Sequence, residues 1–260
     1  MIKTAIEAAK EAGRFLKQNI GKVRDIQRKD GQEKNLVTEI DKRSEEIIIG
    51  IIKQHYPTHD ILAEESGLKS SAASEYRWII DPLDGTTNFT HSLPIFCVSI
   101  GVERKGEIIA GVIYDPNFDE LFTAEKGHGA LLNGKRMKVS RTESLNASML
   151  VTGFPYNITE NPDHAVEHFY NFLMRAQAVR RMGSAAIDMA YVAAGRYDGF
   201  WEVALNPWDM AAGALLIEEA GGALTDFSGN PLSVYRKQIV ASNGIIQKEM
   251  LDILRLFEKR

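Results

Sequence analysis

The stretch that most constrains this chain is Asp81-Pro82-Leu83-Asp84-Gly85-Thr86-Thr87-Asn88, delivered by the apolar run Trp78-Ile79-Ile80. The apolar run reads as a buried strand. Pro82 fixes the turn that follows and Gly85 releases it. Two carboxylates three positions apart are thereby set at a strand end, an arrangement that suits a hard cation with oxygen ligands. The Gly-Thr-Thr beyond them offers consecutive backbone N–H groups and two hydroxyls, a cradle for a phosphate oxygen. Cation ligands and anion donors side by side point to metal-assisted chemistry on a phosphate ester. A capped loop would use the same residue types, because Asp, Gly, Thr and Asn all favour turns. The other acidic residues of the chain decide between the two readings.

The chain has 260 residues, 44% of them hydrophobic and 25% charged, an ordinary globular balance that suits one large domain or two closely packed lobes. A net charge of −4 gives no basic footprint for nucleic acid, and the Arg180-Arg181 pair reads as a solvated face. The single cysteine, Cys97, excludes an intrachain disulfide and makes a reducing cytoplasm the expected location. It lies in an apolar segment and reads as core. The longest apolar stretch, Ile47 to Ile52, is interrupted by Gly50 and is far too short to span a bilayer, and the N-terminus opens directly into a helical pattern.

Ile2, Ala5, Ile6, Ala9, Ala12 and Leu16 recur at helical spacing, with Gly21 as a stop. Residues 22–35 are polar and read as a mobile loop. A second helix is expected over Glu39 to His55, closed by Pro57, with Asp41 complementing the dipole in its first turn. Ile61-Leu62-Ala63 reads as a strand running into Glu64-Glu65, and a short polar excursion separates it from the Asp81 strand. The two strand ends can then aim at one place. From Ile95 to Lys138 the pattern is antiparallel β, with hairpin turns at Lys105-Gly106 and Asn133-Gly134. Gly129 to Arg136 falls one residue short of a P-loop, since Arg136 replaces the required Ser or Thr and the context is a hairpin.

After about Thr142, α and β alternate. Helices are expected over Pro162 to Arg175, from Gly183-Ser184-Ala185 to about Ala194, over Met210 to Ala220, and over Ile245 to Lys259; strands over Met149 to Thr152, Gly199 to Glu202, and Ile239 to Ser242. The H-x-x-E-H spacing of His164 to His168 reads as an exposed helical face, not a zinc site. No repeat or long linker interrupts the chain, so 1–260 reads as one unit, with lobes at about 1–141 (α plus antiparallel β) and 142–260 (α/β).

Asp209 follows the Asn206-Pro207 turn at a helix start, where an N-cap role and a place in a metal–phosphate site are compatible. Glu64, Glu65, Asp81, Asp84 and Asp209 then supply oxygen ligands from three segments. Soft and imidazole ligands are scarce there, which favours Mg²⁺ or Mn²⁺ over zinc.

Leu62-Ala63-Glu64-Glu65-Ser66-Gly67, Trp78 to Phe89, and Trp208-Asp209-Met210-Ala211-Ala212-Gly213 leading to Glu219-Ala220-Gly221-Gly222 together carry a resemblance. By these motifs the chain resembles the inositol monophosphatase family of lithium-sensitive, Mg²⁺-dependent phosphatases, and the similarity runs from the first helix to the last. The resemblance implies the layered α/β/α/β/α sandwich of the inositol monophosphatase and fructose-1,6-bisphosphatase type. It implies one Mg²⁺ on Glu64, Asp81 and the Leu83 carbonyl, and a second on Asp81, Asp84 and Asp209. Glu65 would stand behind these, or act through water on a third, weaker ion. Asp41 and Thr86 would orient the attacking water, with Lys34 of the mobile loop nearby. The phosphate would lie against Leu83, Asp84, the Gly85 and Thr86 amides, and Asp209. Gly183, Ser184, Ala185 and Glu202 would contact the alcohol's hydroxyls, with help from Arg180.

The reaction implied is hydrolysis of inositol 1-phosphate by direct attack of water, with no phosphoenzyme. A homodimer is implied as well. Many family members carry His where this chain has Asn206, so fructose 1,6-bisphosphate, NADP and sulfated nucleotides stay open as substrates. Two rivals are a haloacid-dehalogenase-type phosphatase, whose motif has one residue between its acids where this chain has two, and a regulatory protein. The latter would contact RNA or the transcription machinery through Arg180-Arg181 on a phosphatase scaffold.

Overall fold

The structure is a computed structural model and describes residues 1–22, 26–28, 36–70 and 74–256. Of the expected mobile loop, residues 22 and 26–28 are described, the latter three as a strand, and the rest, with Lys34, lies outside the described residues.

The first helix, α1 (Ile2–Asn19), buries Ala5, Ala8, Ala9, Ala12 and Leu16, a small-residue stripe that allows close approach to its neighbours. A short antiparallel pair, β1 (Ile26–Arg28) and β2 (Leu36–Thr38), precedes α2 (Glu39–His55), whose bounds are those expected from its pattern. Next come β3 (Asp60–Ala63), β4 (Gly67–Lys69), β5 (Tyr76–Asp84) and the one-turn helix α3 (Thr86–Thr90). The antiparallel run follows as β6 (Cys97–Arg104), β7 (Glu107–Asp115), β8 (Glu120–Glu125), β9 (Gly129–Leu132) and β10 (Lys135–Arg136). The remainder is β11 (Met149–Thr152), α4 (Ala165–Leu173), β12 (Ala178–Arg180), α5 (Ala185–Ala193), β13 (Gly199–Val203), α6 (Pro207–Glu219), β14 (Ala223–Thr225), β15 (Gln238–Ser242) and α7 (Gln247–Leu254).

Two sheets organise these elements. The larger has eight strands in the order β10-β9-β8-β7-β6-β5-β3-β4, and the smaller has five in the order β12-β11-β13-β15-β14. Within the larger sheet β3 and β5 run parallel, with Ala63 opposite Ile80, and the other neighbours are antiparallel. The smaller sheet is mixed: β11 is parallel to β12 and β13, and β15 is antiparallel to β13 and β14. α1 and α2 pack together on one face of the large sheet, and α5 and α6 pack together between the two sheets. α4 and α7 cover the outer face of the small one. The result is the layered α/β/α/β/α sandwich.

α6 is apolar around most of its girth because it is buried between two sheets. It approaches the large sheet closely where two strand glycines leave room. A Cβ on Gly101 would lie 2.7 Å from the Ala211 Cβ, and one on Gly111 would lie 2.9 Å from the Ala212 carbonyl oxygen.

Three expectations are revised. Asp81 to Asp84 do not form a turn after the strand; they remain within β5, whose register against β6 shifts between Asp81 and Asp84. Pro82 has no N–H to give the ladder, which accounts for the shift at that point. The helix expected from Pro162 begins only at Ala165, because Asn161, Asp163 and His164 take left-handed backbone conformations. His168 on that helix is buried and stands edge-on to Phe227 instead of facing solvent.

Candidate active site

The site begins with the parallel pairing of β3 and β5. Glu64 N–H donates to the Ile80 carbonyl at 3.2 Å, so Glu64 and Glu65 leave β3 beside the point where β5 delivers Asp81. Asp81 Oδ1 accepts from Leu83 N–H at 3.0 Å, which holds the carboxylate over the irregular part of the strand. Ser44 Oγ donates to the Pro82 carbonyl at 2.7 Å and ties α2 to the same place.

α2 contributes one face to this corner. Asp41, Ser44 and Glu45 are buried and follow the i, i+3, i+4 rule that places side chains together on a helix. Asp41 Oδ2 accepts from Thr38 N–H at 2.9 Å in a capping box, and its Oδ1 accepts from Thr86 Oγ at 2.9 Å. Burial raises the Asp41 pKa even though these hydrogen bonds oppose the shift. Glu45 Oε2 accepts from Glu65 N–H at 2.8 Å and positions the backbone of the acidic pair.

Gly85 turns the chain out of β5 with φ of 99°, and a Cβ there would stand 2.9 Å from the Ile95 carbonyl oxygen. Only glycine suits such a position. Thr86 then starts α3, and the N–H groups of that first turn have no partner within the helix.

Asp84 is held from the other half of the chain. Its Oδ2 accepts from Ser184 Oγ at 2.6 Å and from Ala186 N–H at 2.7 Å, at the N-terminus of α5. Ser184 is the N-cap of α5, so the residue expected to touch substrate is also committed to the helix and to Asp84. Asn88 Nδ2 donates to the Met182 carbonyl at 2.8 Å, bringing Gly183 against α3.

Asp209 is the third residue of α6, and the N-cap is Asn206, whose N–H donates to Asp209 Oδ2 at 2.7 Å. Ser99 Oγ donates to the Trp208 carbonyl at 3.3 Å and docks this helix end on β6. Glu202 is buried on β13, and its carboxylate fills the space that a side chain on Gly153 would occupy.

These carboxylates bear on one another electrostatically. Burial, and then the charges of Glu64, Asp84 and Asp209, push the Asp81 pKa well above the carboxylate range. Burial lifts Asp84 to about 6 against its hydrogen bonds from Ser184 and Ala186. Glu202 is raised by burial and by Asp209 and Asp84, with Arg181 opposing.

Among the described residues, no three His, Cys, Asp or Glu side chains stand in ready coordinating geometry. Each of Asp41, Asp81, Asp84 and Asp209 instead gives an oxygen to a donor of the chain itself. The donor set nevertheless fits a hard divalent cation. It is all oxygen, it is largely buried, and its members repel one another in a way that a cation would offset.

Arg180 is exposed at the sheet edge, where it donates to its neighbour Val179's carbonyl. Its neighbour Arg181 lies over the Phe154 ring and acts on Asp188 and Glu202.

The profile of the inositol monophosphatase family matches residues 1–259. The chain belongs to the inositol monophosphatase family. It is 46% identical over 253 residues to an inositol-1-monophosphatase of a Synechocystis species, covering 97% of this chain and 88% of that protein. It is 43% identical over 259 residues to the Nus factor SuhB of Pseudomonas aeruginosa, covering 98% and 96%. Among solved structures, the extragenic suppressor protein suhB of Bartonella henselae superposes with a TM-score of 0.93 at 41% identity, covering 98% of each chain. The inositol monophosphatase of an Anabaena species gives 0.88 at 45% identity, covering 97% and 94%. Family and relatives together support a phosphatase.

Within this candidate site, sequence reasoning missed Glu45, Asp188 and Tyr156. Glu45 had a signal, since it shares a helix face with Asp41. Asp188 is buried on α5 with an Oδ1 that makes no hydrogen bond, and burial and Glu202 raise its pKa. Tyr156 is about half exposed, and desolvation of its hydroxyl together with the charges of Glu64, Asp209, Asp84 and Asp81 raises its pKa. Neither residue stands in a motif.

Proposed function

We propose that this chain is a Mg²⁺-dependent phosphomonoesterase that hydrolyses inositol 1-phosphate to inositol and phosphate. The observation that carries the reading is the convergence of carboxylates from separate segments on buried Asp81, beside the Asp41–Thr86 pair.

Glu64, Asp81 and the Leu83 carbonyl would hold one Mg²⁺, and Asp81, Asp84 and Asp209 a second, with Glu65 behind them or serving a third ion. When bound, Mg²⁺ offsets charge on the phosphoryl oxygens and leaving alkoxide and makes a bound water more acidic. The chain's own groups then position the reaction. Thr86 Oγ donates to Asp41 Oδ1, so its lone pair is directed to accept a proton from the attacking water. Asp41, with its raised pKa, receives the proton passed along that hydrogen bond. The Gly85 and Thr86 amides hold phosphoryl oxygens that gain charge as the ester breaks. Glu202 and the α5 start at Gly183, Ser184 and Ala185 receive the alcohol, with Arg181, whose charge acts on Glu202, joining the expected Arg180. With water activated at the metals, no nucleophilic side chain is required, so the proposed attack is by water directly and passes through no phosphoenzyme.

The test is phosphate release from inositol 1-phosphate, fructose 1,6-bisphosphate and NADP in parallel, with Mg²⁺, with chelator, and with Li⁺ added. Mg²⁺-dependent, Li⁺-inhibited release favouring inositol 1-phosphate is expected. Preference for another ester would move the substrate, and release unaffected by chelation would refute the metal role. A second role in transcription is supported by the relative named a Nus factor. An Asp84→Asn variant separates the two, because a function that survives it does not need turnover.

A further inference from the structure

A hollow of about 390 Å³ opens between the connector that follows β10 and the C-terminal end of α6. Its lining includes Arg136, Lys138, Arg141 and Glu219. Glu219 lies ten residues along α6 from Asp209, roughly 15 Å at the helical rise, so the hollow is separate from the carboxylate site.

The backbone here is anchored on both sides. Met137 N–H donates to the Ala130 carbonyl at 3.1 Å, and Val139 N–H donates to the Ala220 carbonyl at 3.2 Å. Gly129 has φ of +76°, and a Cβ on it would lie 1.7 Å from Arg136 Nη1. This glycine is what lets the guanidinium rest against the chain. The one acidic group lining the hollow is already engaged: Glu219 accepts from Gly127 N–H at 2.7 Å and from Gly129 N–H at 2.6 Å. Nearby Lys126 and Arg196 are paired with Glu107 and Glu120, whereas among the described residues Arg136, Lys138 and Arg141 enter no ion pair. Three exposed cations with no ion pair therefore line the hollow together with one carboxylate that two amides already serve. The volume falls within the range of small-molecule sites, roughly 300–1,000 Å³.

We propose that this hollow binds a small soluble polyphosphate, a molecule carrying two or more adjacent phosphoryl groups. Several cations around one hollow reward a ligand with several charges, and the Arg136 guanidinium offers paired N–H donors to a phosphoryl group.

The test is calorimetric titration of inorganic tripolyphosphate into protein stripped of metal and exchanged into metal-free buffer. Under those conditions the carboxylate site repels anions, so its failure or success as a phosphatase does not enter the result. One equivalent should bind, and the double variant Lys138→Glu/Arg141→Glu should bind about tenfold more weakly or less, having lost two charge-assisted contacts. A control, Lys3→Glu/Lys10→Glu on exposed positions of α1, makes the same change in net charge on another layer of the molecule. Thermal melts establish that both variants fold. Absence of binding by the unaltered protein, or equal weakening by both double variants, would overturn the proposal in favour of a solvated basic face.

Discussion

Asp84 joins the two halves of the chain through one carboxylate. It hangs from β5 of the large sheet, yet its Oδ2 is held by Ser184 and Ala186 at the start of α5. Replacing it with Asn keeps an oxygen for those donors and removes the charge. Asp84→Asn should therefore melt within a few degrees of the parent while kcat falls by about 10²–10³, the scale of losing a transition-state electrostatic group. Thr86→Val should lower kcat by roughly 10²–10⁴, the range of general-base contributions, while Thr86→Ser, which keeps the hydroxyl beside Asp41, should retain most activity. His168 offers a prediction about stability. Burial lowers its pKa from 6.5 to about 4, so between those values the unfolded chain binds a proton that the folded chain does not. Its contribution is present above pH 6.5 and is lost as pH falls toward 4, with an upper limit of about 3 kcal/mol. Melting temperatures measured across that window should fall less steeply for His168→Phe than for the parent.

At the scale of elements, the site depends on how closely α6 lies on β6 and β7, since that contact sets where Asp209 stands. Gly111→Val would drive a side chain into the Ala212 backbone and should cost about 1–3 kcal/mol, the usual penalty for overpacking. It should also raise the Mg²⁺ concentration needed for half-maximal activity more than it changes kcat, which a metal titration of the variant would show. Much of the local structure was legible. The bounds of α2 follow from its apolar stripe and from Pro57, and the meeting of β3 and β5 ends follows from two short runs that each end in acids. What was illegible depends on partners far apart in the chain. Ser184 reaches Asp84 across 100 residues, and nothing local distinguishes a cap that also holds a carboxylate from one that does not. Gly101 and Gly111 look like weak strand residues until α6 is seen against them. The false start at Pro162 has a similar origin, because proline suits a helix's first turn and gives no warning of left-handed residues after it.

Across the whole molecule, the carboxylates come from both sheets and from the helix layer between them, so the site exists only when the two halves are assembled. The lobes at 1–141 and 142–260 are accordingly proposed to unfold as one unit, α5 and α6 being packed against both sheets. Calorimetry should record one transition, and two separable transitions would show independent lobes. Mg²⁺ binding to the folded chain alone should raise the melting temperature, with about 2.7 kcal/mol gained at a hundredfold excess over the dissociation constant. The most direct trial of the account is phosphate release from inositol 1-phosphate by the parent and Asp84→Asn proteins as Mg²⁺ is titrated. Release that rises with Mg²⁺ in the parent and is nearly absent in the variant is the predicted result. Comparable Mg²⁺-dependent turnover by both proteins would contradict the assignment of the carboxylate cluster as the catalytic metal site.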